Sequence, residues 1–211
     1  MNKAKLFVVS APSGCGKGTI LNEVFKNSDV FYSVSCTTRA PRDGEIDGTH
    51  YRFIDDAEFE KMVSQNGFLE YAGFVKHYYG TPSEPVLKNL SEGRDVVLEI
   101  ETNGAFQVKK AMPEAVLIFI LPPSVEELRR RLNKRGTECD CVIDQRVKAA
   151  AAEISKSCDY DYAIMNDRLE DAVKDFQLVM KASKDESSEA DMFKTNNENI
   201  KNMINEVLKN A

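Results

Sequence analysis

No apolar run in the 211 residues approaches the roughly 20 needed for a membrane-spanning helix. The first apolar run, Leu6-Phe7-Val8-Val9 and Ala11, is broken by Ser10 and stopped by Pro12, too short for a secretory signal. An excess of positive charge is also missing. Lys and Arg number 28 against 34 Asp and Glu, a net charge of −6, so neither nucleic acid nor an anionic membrane is expected as a partner. Cysteine is sparse: five residues, odd in number and scattered, fit free thiols in a reducing compartment and exclude a disulfide-stapled miniprotein. The two histidines, His50 and His77, match no catalytic or metal-ligand pattern, and Cys139-x-Cys141 has no second pair to make a zinc site. There is no internal repeat. What remains is ordinary globular composition, 42% apolar and 29% charged. That is enough for one sizeable domain with small insertions, but hardly for two independent cores. A soluble, cytoplasmic protein is expected.

Short apolar runs at 5–10, 95–101, 115–121 and 160–165 read as buried strands. Helical spacing appears at 19–26, 83–90, 103–112, 124–132, 142–157 and 169–182, with Ser124 and Glu127 placed as a capping box. Strands alternating with helices predict an α/β fold with a parallel sheet. Residues 31–82, rich in Tyr, Phe, Thr and Gly, break the alternation and read as a mainly antiparallel insertion with a helix at 56–64. Residues 129–148 carry seven cationic side chains against three acidic ones. Such runs are commonly solvated faces, unless an anion binds there. The stretch 183–199 is polar and aperiodic and reads as a linker. Beyond it Ile200, Met203, Ile204, Val207 and Leu208 make one apolar helical stripe, suited to docking on the core or on a partner.

The nine residues from Ala11 to Thr19 separate the first strand from the first helix, and Gly14-x-Gly16-Lys17-Gly18-Thr19 resembles a P-loop. Glycines let successive N–H groups turn inward around phosphate oxygens, and the helix N-terminus adds partial positive charge. Lys17 supplies a mobile full charge to the β- and γ-phosphates of a nucleotide. Ala11 stands where the first glycine of that motif would be, and Gly18 where its Mg²⁺-binding hydroxyl would be. Cys15 reads first as a small residue at a permissive position; the sharper reading is a thiol acidified by the positive helix end and alkylated unless a nucleotide covers it.

A second set of motifs runs in collinear order over about residues 4–182. It includes Ser35-Cys36-Thr37-Thr38-Arg39-Ala40-Pro41-Arg42-Asp43-Gly44-Glu45, Phe68-Leu69-Glu70-Tyr71 and Tyr78-Tyr79-Gly80-Thr81. Leu98-Glu99-Ile100-Glu101, Arg131-Leu132-x-x-Arg135-Gly136-Thr137, Arg146 and Asn166-Asp167 complete it. These motifs resemble the guanylate kinases. The resemblance implies a P-loop core of three layers (4–30, 83–128 and 149–182), a GMP-binding insertion at 31–82 and a short helical lid at about 129–148. It implies phosphorylation of GMP, and of dGMP, by ATP with Mg²⁺. Ser13, Gly14, Cys15, Gly16, Lys17, Gly18, Thr19, Arg131, Arg135 and Asn166 would hold ATP. Ser35, Arg39, Arg42, Glu45, Tyr51, Glu70, Tyr79, Thr81, Glu99 and Glu101 would hold GMP. Lys17, Arg39, Arg131, Arg135 and Arg146 would act in catalysis. The Mg²⁺ would come with ATP, reached through water near Glu99 or Thr19 rather than by a dedicated protein ligand set.

The residues agree with that chemistry. Arg39 and Arg42, three apart, can converge on one dianion, and guanidinium chelates phosphate as an ammonium cannot. The phenols of Tyr51 and Tyr79 donate without adding charge. Guanine presents N1–H and N2–H₂ side by side, and the Glu70 carboxylate can accept from both, whereas adenine offers an unprotonated N1. Two other readings compete. A protein-binding module with a guanylate-kinase-like fold would typically have lost the loop lysine or the arginines, which are present here. A regulatory GTPase needs Asn-Lys-x-Asp, and neither Asn2-Lys3 nor Asn133-Lys134 is followed by that Asp. Oligomeric state is left open between monomer and homo-oligomer.

Overall fold

All five residues of the first strand, β1 (Leu6–Ser10), are buried, as are all six of β8 (Val116–Leu121). Successive strand residues point to opposite faces, so continuous burial means that both faces of the sheet are covered. The structure, a computed structural model, describes residues 4–74, 76–134 and 140–209. After β1 come α1 (Lys17–Phe25), β2 (Phe31–Tyr32), β3 (Cys36–Thr37), β4 (Arg52–Phe53), α2 (Asp56–Ser64), β5 (Phe68–Phe74), β6 (His77–Pro82) and α3 (Ser83–Ser91). The chain continues through β7 (Val96–Glu99), α4 (Thr102–Ala111), β8, α5 (Val125–Lys134), α6 (Asp140–Ser155), β9 (Tyr162–Met165), α7 (Leu169–Asp185) and α8 (Glu198–Leu208). Short 3-10 turns occupy Lys156–Asp159 and Ser188–Phe193. The larger sheet has the order β2-β7-β1-β8-β9, and the smaller one β4-β3-β6-β5. No described helix is long and apolar enough to cross a membrane.

The chain divides into two compact units, and the division runs through β1. The first comprises residues 4–8 and Asp29–Ala115. In it β2 lies parallel to β7, pairing Phe31 with Val96 and Tyr32 with Val97. Composition places those two residues of β2 in the insertion, but they join the larger sheet, and the smaller sheet starts only at Cys36. Both segments are extended and aromatic, so composition alone does not separate them. The smaller sheet is mostly antiparallel, with one parallel pair, β3 and β4. Its long hairpin, β5–β6, is covered by α2, whose buried Phe59 stacks on Phe68 at 4.5 Å and on Tyr78 at 5.3 Å. Helix α2 is well terminated. The Asp55 side chain accepts from the Glu58 N–H at 2.7 Å, and Asn66 takes a left-handed φ of 53° just past its end.

The second unit comprises Val9–Ser28 and residues 116–209. Here β8 and β9 run parallel from Ile118/Tyr162 to Leu121/Met165. Helices α1 and α7 meet through Phe25 and Phe176, whose rings stand edge to face at 6.0 Å. The Ser124 hydroxyl accepts from the Glu127 N–H at 3.0 Å, the first half of the expected capping box. Its second half is not made, because the Glu127 carboxylate is engaged by arginines instead.

The stretch 183–199 is not a linker. It finishes α7, makes a 3-10 turn with Ala190 buried, and returns to the sheet. Lys194 forms an antiparallel bridge with Tyr162, the Thr195 N–H donates to Asp161 O at 3.2 Å, and the Thr195 hydroxyl donates to Tyr160 O. Such turns carry no 3.6-residue period, which is why the segment reads as featureless. Beyond it α8 buries Ile200, Ile204 and Val207 and packs on α6, so the apolar stripe serves the core. Ile204→Ala should therefore lower stability by about 2–5 kcal/mol in urea melts, while turnover per folded molecule stays unchanged.

Candidate functional site

In the second unit, residues 11–16 link the end of β1 to the start of α1. Gly14 and Gly16 have φ of +89° and +90°, a region that side-chain-bearing residues avoid. Both are also crowded. A Cβ on Gly14 would lie 2.8 Å from Leu132 Cδ2, and one on Gly16 would lie 2.7 Å from Asn166 Nδ2. Helix α1 begins without a side-chain cap and without an acidic residue in its first turn. Its positive end is therefore left for an anion, and Lys17 is its first residue. Thr19 is exposed in the same turn.

The loop is braced from behind at one atom, the Cys15 carbonyl oxygen. Asn166 Nδ2 donates to it at 2.6 Å and Arg131 Nη1 at 3.3 Å. Asn166 is placed by the parallel ladder, its N–H bonding to Leu121 O at 2.8 Å just beyond β9. Arg131 is held on two further sides, by Glu127 Oε1 at 2.8 Å and by Asn166 O at 3.1 Å. Arg146 Nη1 reaches Ser13 Oγ at 3.2 Å. Hydrogen bonds from Arg130 and Arg131 hold the Glu127 carboxyl down at about 2. Ser13, Arg131, Arg146 and Asn166 thus gather around the loop, as the sequence suggests, whereas Arg135 lies outside the described residues.

Cys15 fits the plainer of its two readings. It is fully buried, and desolvation pushes its thiol up to about 12 against the lowering influence of Arg131 and Lys17. Its Sγ lies 3.5 Å from Ile120 O. The positive helix end is felt, but burial outweighs it.

In the first unit, a cluster forms around Arg39. The Glu45 carboxylate accepts from Arg39 Nη1 at 2.7 Å and from Nη2 at 2.8 Å, and from the Arg42 N–H at 2.7 Å. These bonds hold the Glu45 carboxyl at about 2 and raise the Arg39 pKa. The Arg39 guanidinium also lies over the rings of Tyr51, at 5.3 Å, and Phe53, at 5.7 Å. Tyr51 and Tyr79 stand edge to face at 5.9 Å. Arg39, Glu45, Tyr51 and Tyr79 therefore come together. The Arg42 side chain is exposed, so it is the backbone of Arg42 that joins the cluster. Arg39 Nε is buried without a hydrogen-bond partner.

Glu70 is buried on the hairpin of the same unit, 6% exposed. The pairing of β5 and β6 slips between Phe68 and Glu70, which sets Glu70 opposite Thr81. The Thr81 hydroxyl donates to Glu70 Oε1 at 2.7 Å. Burial raises the Glu70 pKa despite that bond, and the charge of Glu101 adds to the rise. Ser35 lies just before β3, its carbonyl accepting from the Arg52 N–H at 2.9 Å. Glu99, at the end of β7, accepts from the Tyr32 hydroxyl, and burial followed by this carboxylate raises the Tyr32 pKa. Glu101 is exposed at the N-cap position of α4.

Sequence reasoning missed Tyr32 and the anchoring function of Glu127. The spacing of Glu127 and Arg131, four residues apart on one helix, was the available signal for the latter. Tyr32 gave none, since its partner lies 67 residues away.

At pH 8 iodoacetamide should label the exposed Cys141 and Cys158 and spare the buried Cys15 and Cys36 until the protein is unfolded, as peptide mass spectrometry would show. Glu127→Gln should lower stability at neutral pH. Because the folded carboxyl sits at about 2 against an ordinary 4.5, its contribution is present above 4.5 and vanishes as pH falls through 2. The two melting curves should therefore converge in acid.

The guanylate kinase family model matches residues 3–183. A protein named guanylate kinase from Carboxydothermus hydrogenoformans is 54% identical over 186 residues, covering 87% of this chain and 91% of that one. Another of that name from Thermus thermophilus is 50% identical over 182 residues, covering 86% and 83%. The crystal structure of guanylate kinase from Anaplasma phagocytophilum superposes with a TM-score of 0.71 at 34% identity, covering 87% of this chain and 88% of that one. With the phosphate loop, the Arg39 cluster and Glu70 all in place, the chain belongs to the guanylate kinase family.

Proposed function

We propose that this protein transfers the γ-phosphoryl group of ATP to the phosphate of GMP, giving ADP and GDP, and that it accepts dGMP in the same way. The observation that carries the acceptor's identity is Glu70. It is a buried carboxylate with one oxygen held by Thr81, suited to take N1–H and N2–H₂ of guanine. The family membership carries the reaction type.

The donor phosphates lie on the N–H groups of the loop and of the first turn of α1, with Lys17 on the β- and γ-phosphates. Arg131 and Arg146, already seated on the loop at Cys15 O and Ser13 Oγ, place guanidinium charge where the transferring group gathers it. Arg135 adds a third. Asn166 holds the loop through the Cys15 carbonyl as well as lying beside the donor. Arg39, Arg42, Tyr51 and Tyr79 hold the acceptor phosphate, and Glu45 keeps Arg39 aimed. Ser35 and Thr81 support the base, and Glu99 and Glu101 line the acceptor side. The acceptor oxygen is already anionic, so it attacks phosphorus in line and no strong general base is required.

Magnesium enters with ATP as part of the substrate. Among the described residues no three His, Cys, Asp or Glu side chains gather into a metal cage. Mg²⁺ is held mainly by phosphate oxygens and water, with one or two protein groups, so the exposed Thr19 hydroxyl is a fitting contact for its water shell. When bound it neutralises phosphate charge. A cytoplasmic location accords with this substrate pair.

The test is coupled ADP release from MgATP with GMP, dGMP, AMP and UMP. Turnover should be strong with GMP, weaker with dGMP, and lower by about 10⁴-fold with AMP. GMP binding without turnover would instead favour a binding module. Glu70→Gln should lose rate and guanine preference without losing stability. The wild-type carboxyl titrates above its ordinary value because it is buried, so above that ordinary value its charged form opposes folding, and the variant removes that charge. Melting temperatures at pH 7 check the sign.

A further inference from the structure

Glycine is among the poorest residues for a helix interior, yet Gly104 is the third residue of α4 and buried. Its backbone does not require glycine, since it is not among the residues with positive φ. Space is the reason. A Cβ built there would fall 2.6 Å from Glu70 Oε2, 3.0 Å from Glu70 Cδ and 3.4 Å from Glu70 Cγ. The three nearest atoms all belong to one side chain, which lies across the bare face of the helix.

The surroundings fix one carboxylate oxygen and the strand behind it, and leave the other oxygen to yield. On its far oxygen, Oε1, Glu70 is held by the Thr81 hydroxyl at 2.7 Å. The next residue of the strand is also pinned to α4, one turn further on. The Tyr71 N–H donates to Gln107 Oε1 at 3.4 Å, and Gln107 Nε2 donates to Tyr71 O at 3.2 Å. Strand β5 is the edge of its sheet, and this amide pair ties its outer side to the helix. A side chain at 104 would thus push on the carboxylate, since the strand behind it is anchored.

We propose that Gly104 is a specificity-determining positioning residue: its missing side chain is the seat that sets the angle of the Glu70 carboxylate towards the two donors of guanine. This rests on Glu70 as the base reader. A carboxylate accepting two parallel N–H bonds must lie in the plane of the base, and displacing it by a fraction of an ångström spoils both bonds at once.

The experiment uses the full chain with Gly104→Ala, Glu70→Gln and the double variant, measuring kcat and KM for GMP, IMP and ATP together with the melting temperature. IMP keeps N1–H but lacks the 2-amino group, so the GMP/IMP ratio of kcat/KM reports the second bond. Gly104→Ala should fold with an unchanged or higher melting temperature, because alanine is the better helix former and the obstructing atoms end a flexible side chain. Its KM for GMP should rise by about 10- to 100-fold, its KM for ATP should stay put, and its GMP/IMP preference should fall. In the Glu70→Gln background the alanine should add little to the loss of preference, the mark of two residues acting as one. The proposal is overturned if Gly104→Ala keeps the preference while Glu70→Gln loses it, if the two losses simply add, or if the alanine variant is unfolded or equally impaired towards ATP. Unchanged guanine preference in Glu70→Gln would instead overturn the base reader, and this proposal with it.

Discussion

An anion-binding site needs positive charge that is immobile and yet uncommitted, two demands that ordinarily conflict. A guanidinium left alone is mobile, and one fully paired is spent. Immobility is supplied twice by the same means: a carboxylate holds an arginine, Arg131 through Nε and Arg39 through both terminal nitrogens. Glu127 holds Arg131 one helical turn away, and Glu45 holds Arg39 across a short loop. Both carboxyls are drawn down to about 2, so each leash stays charged at any pH of interest. The phosphate loop meets the demand differently, with backbone. Helix α2 has an aspartate cap and two acids in its first turn, whereas α1 has neither, so of these two helices α1 keeps its terminal charge open.

The base pocket carries a cost of the opposite kind. Glu70 is buried, its pKa is raised, and Thr81 offsets only part of the desolvation. A neutral residue would suit folding better at this place. The proposed function accounts for the charge, since a buried carboxylate here would give guanine two strong bonds and turn the adenine edge away. The slip in pairing at Phe68–Glu70, the glycine in α4 and the Gln107 clamp belong together in this light. They are the local concessions that let one charged side chain sit inside.

Features that depend on neighbours in the chain were legible in the sequence. The phosphate loop, the buried runs of β1 and β8, and the helices up to their last turns fall where periodicity and glycine spacing put them. The Arg39, Tyr51 and Tyr79 cluster was legible through the family motifs. What could not be read depends on distant partners. The sharper reading of Cys15 as an acidic thiol came from the adjacent helix end, whereas its burial beside Ile120 comes from a strand 105 residues away. The two residues of β2 look like the insertion that follows them until they are seen beside β7. Gly104 falls inside the helix expected over 103–112 with no reason for a glycine visible there, and the place of Glu70, 34 residues earlier, supplies one.

The segment after α7 also lies past residue 183, where the family match ends. Strand β9 is the last strand of the larger sheet, and an edge of that kind presents open N–H and C=O groups to any extended chain. Lys194 and Thr195 run alongside its beginning and take up part of that hydrogen-bonding capacity, with α8 securing the return. The residues beyond the family match therefore fill the beginning of this sheet margin with the chain's own backbone, so a strand from elsewhere would have to displace Lys194 and Thr195 to pair beside Tyr162.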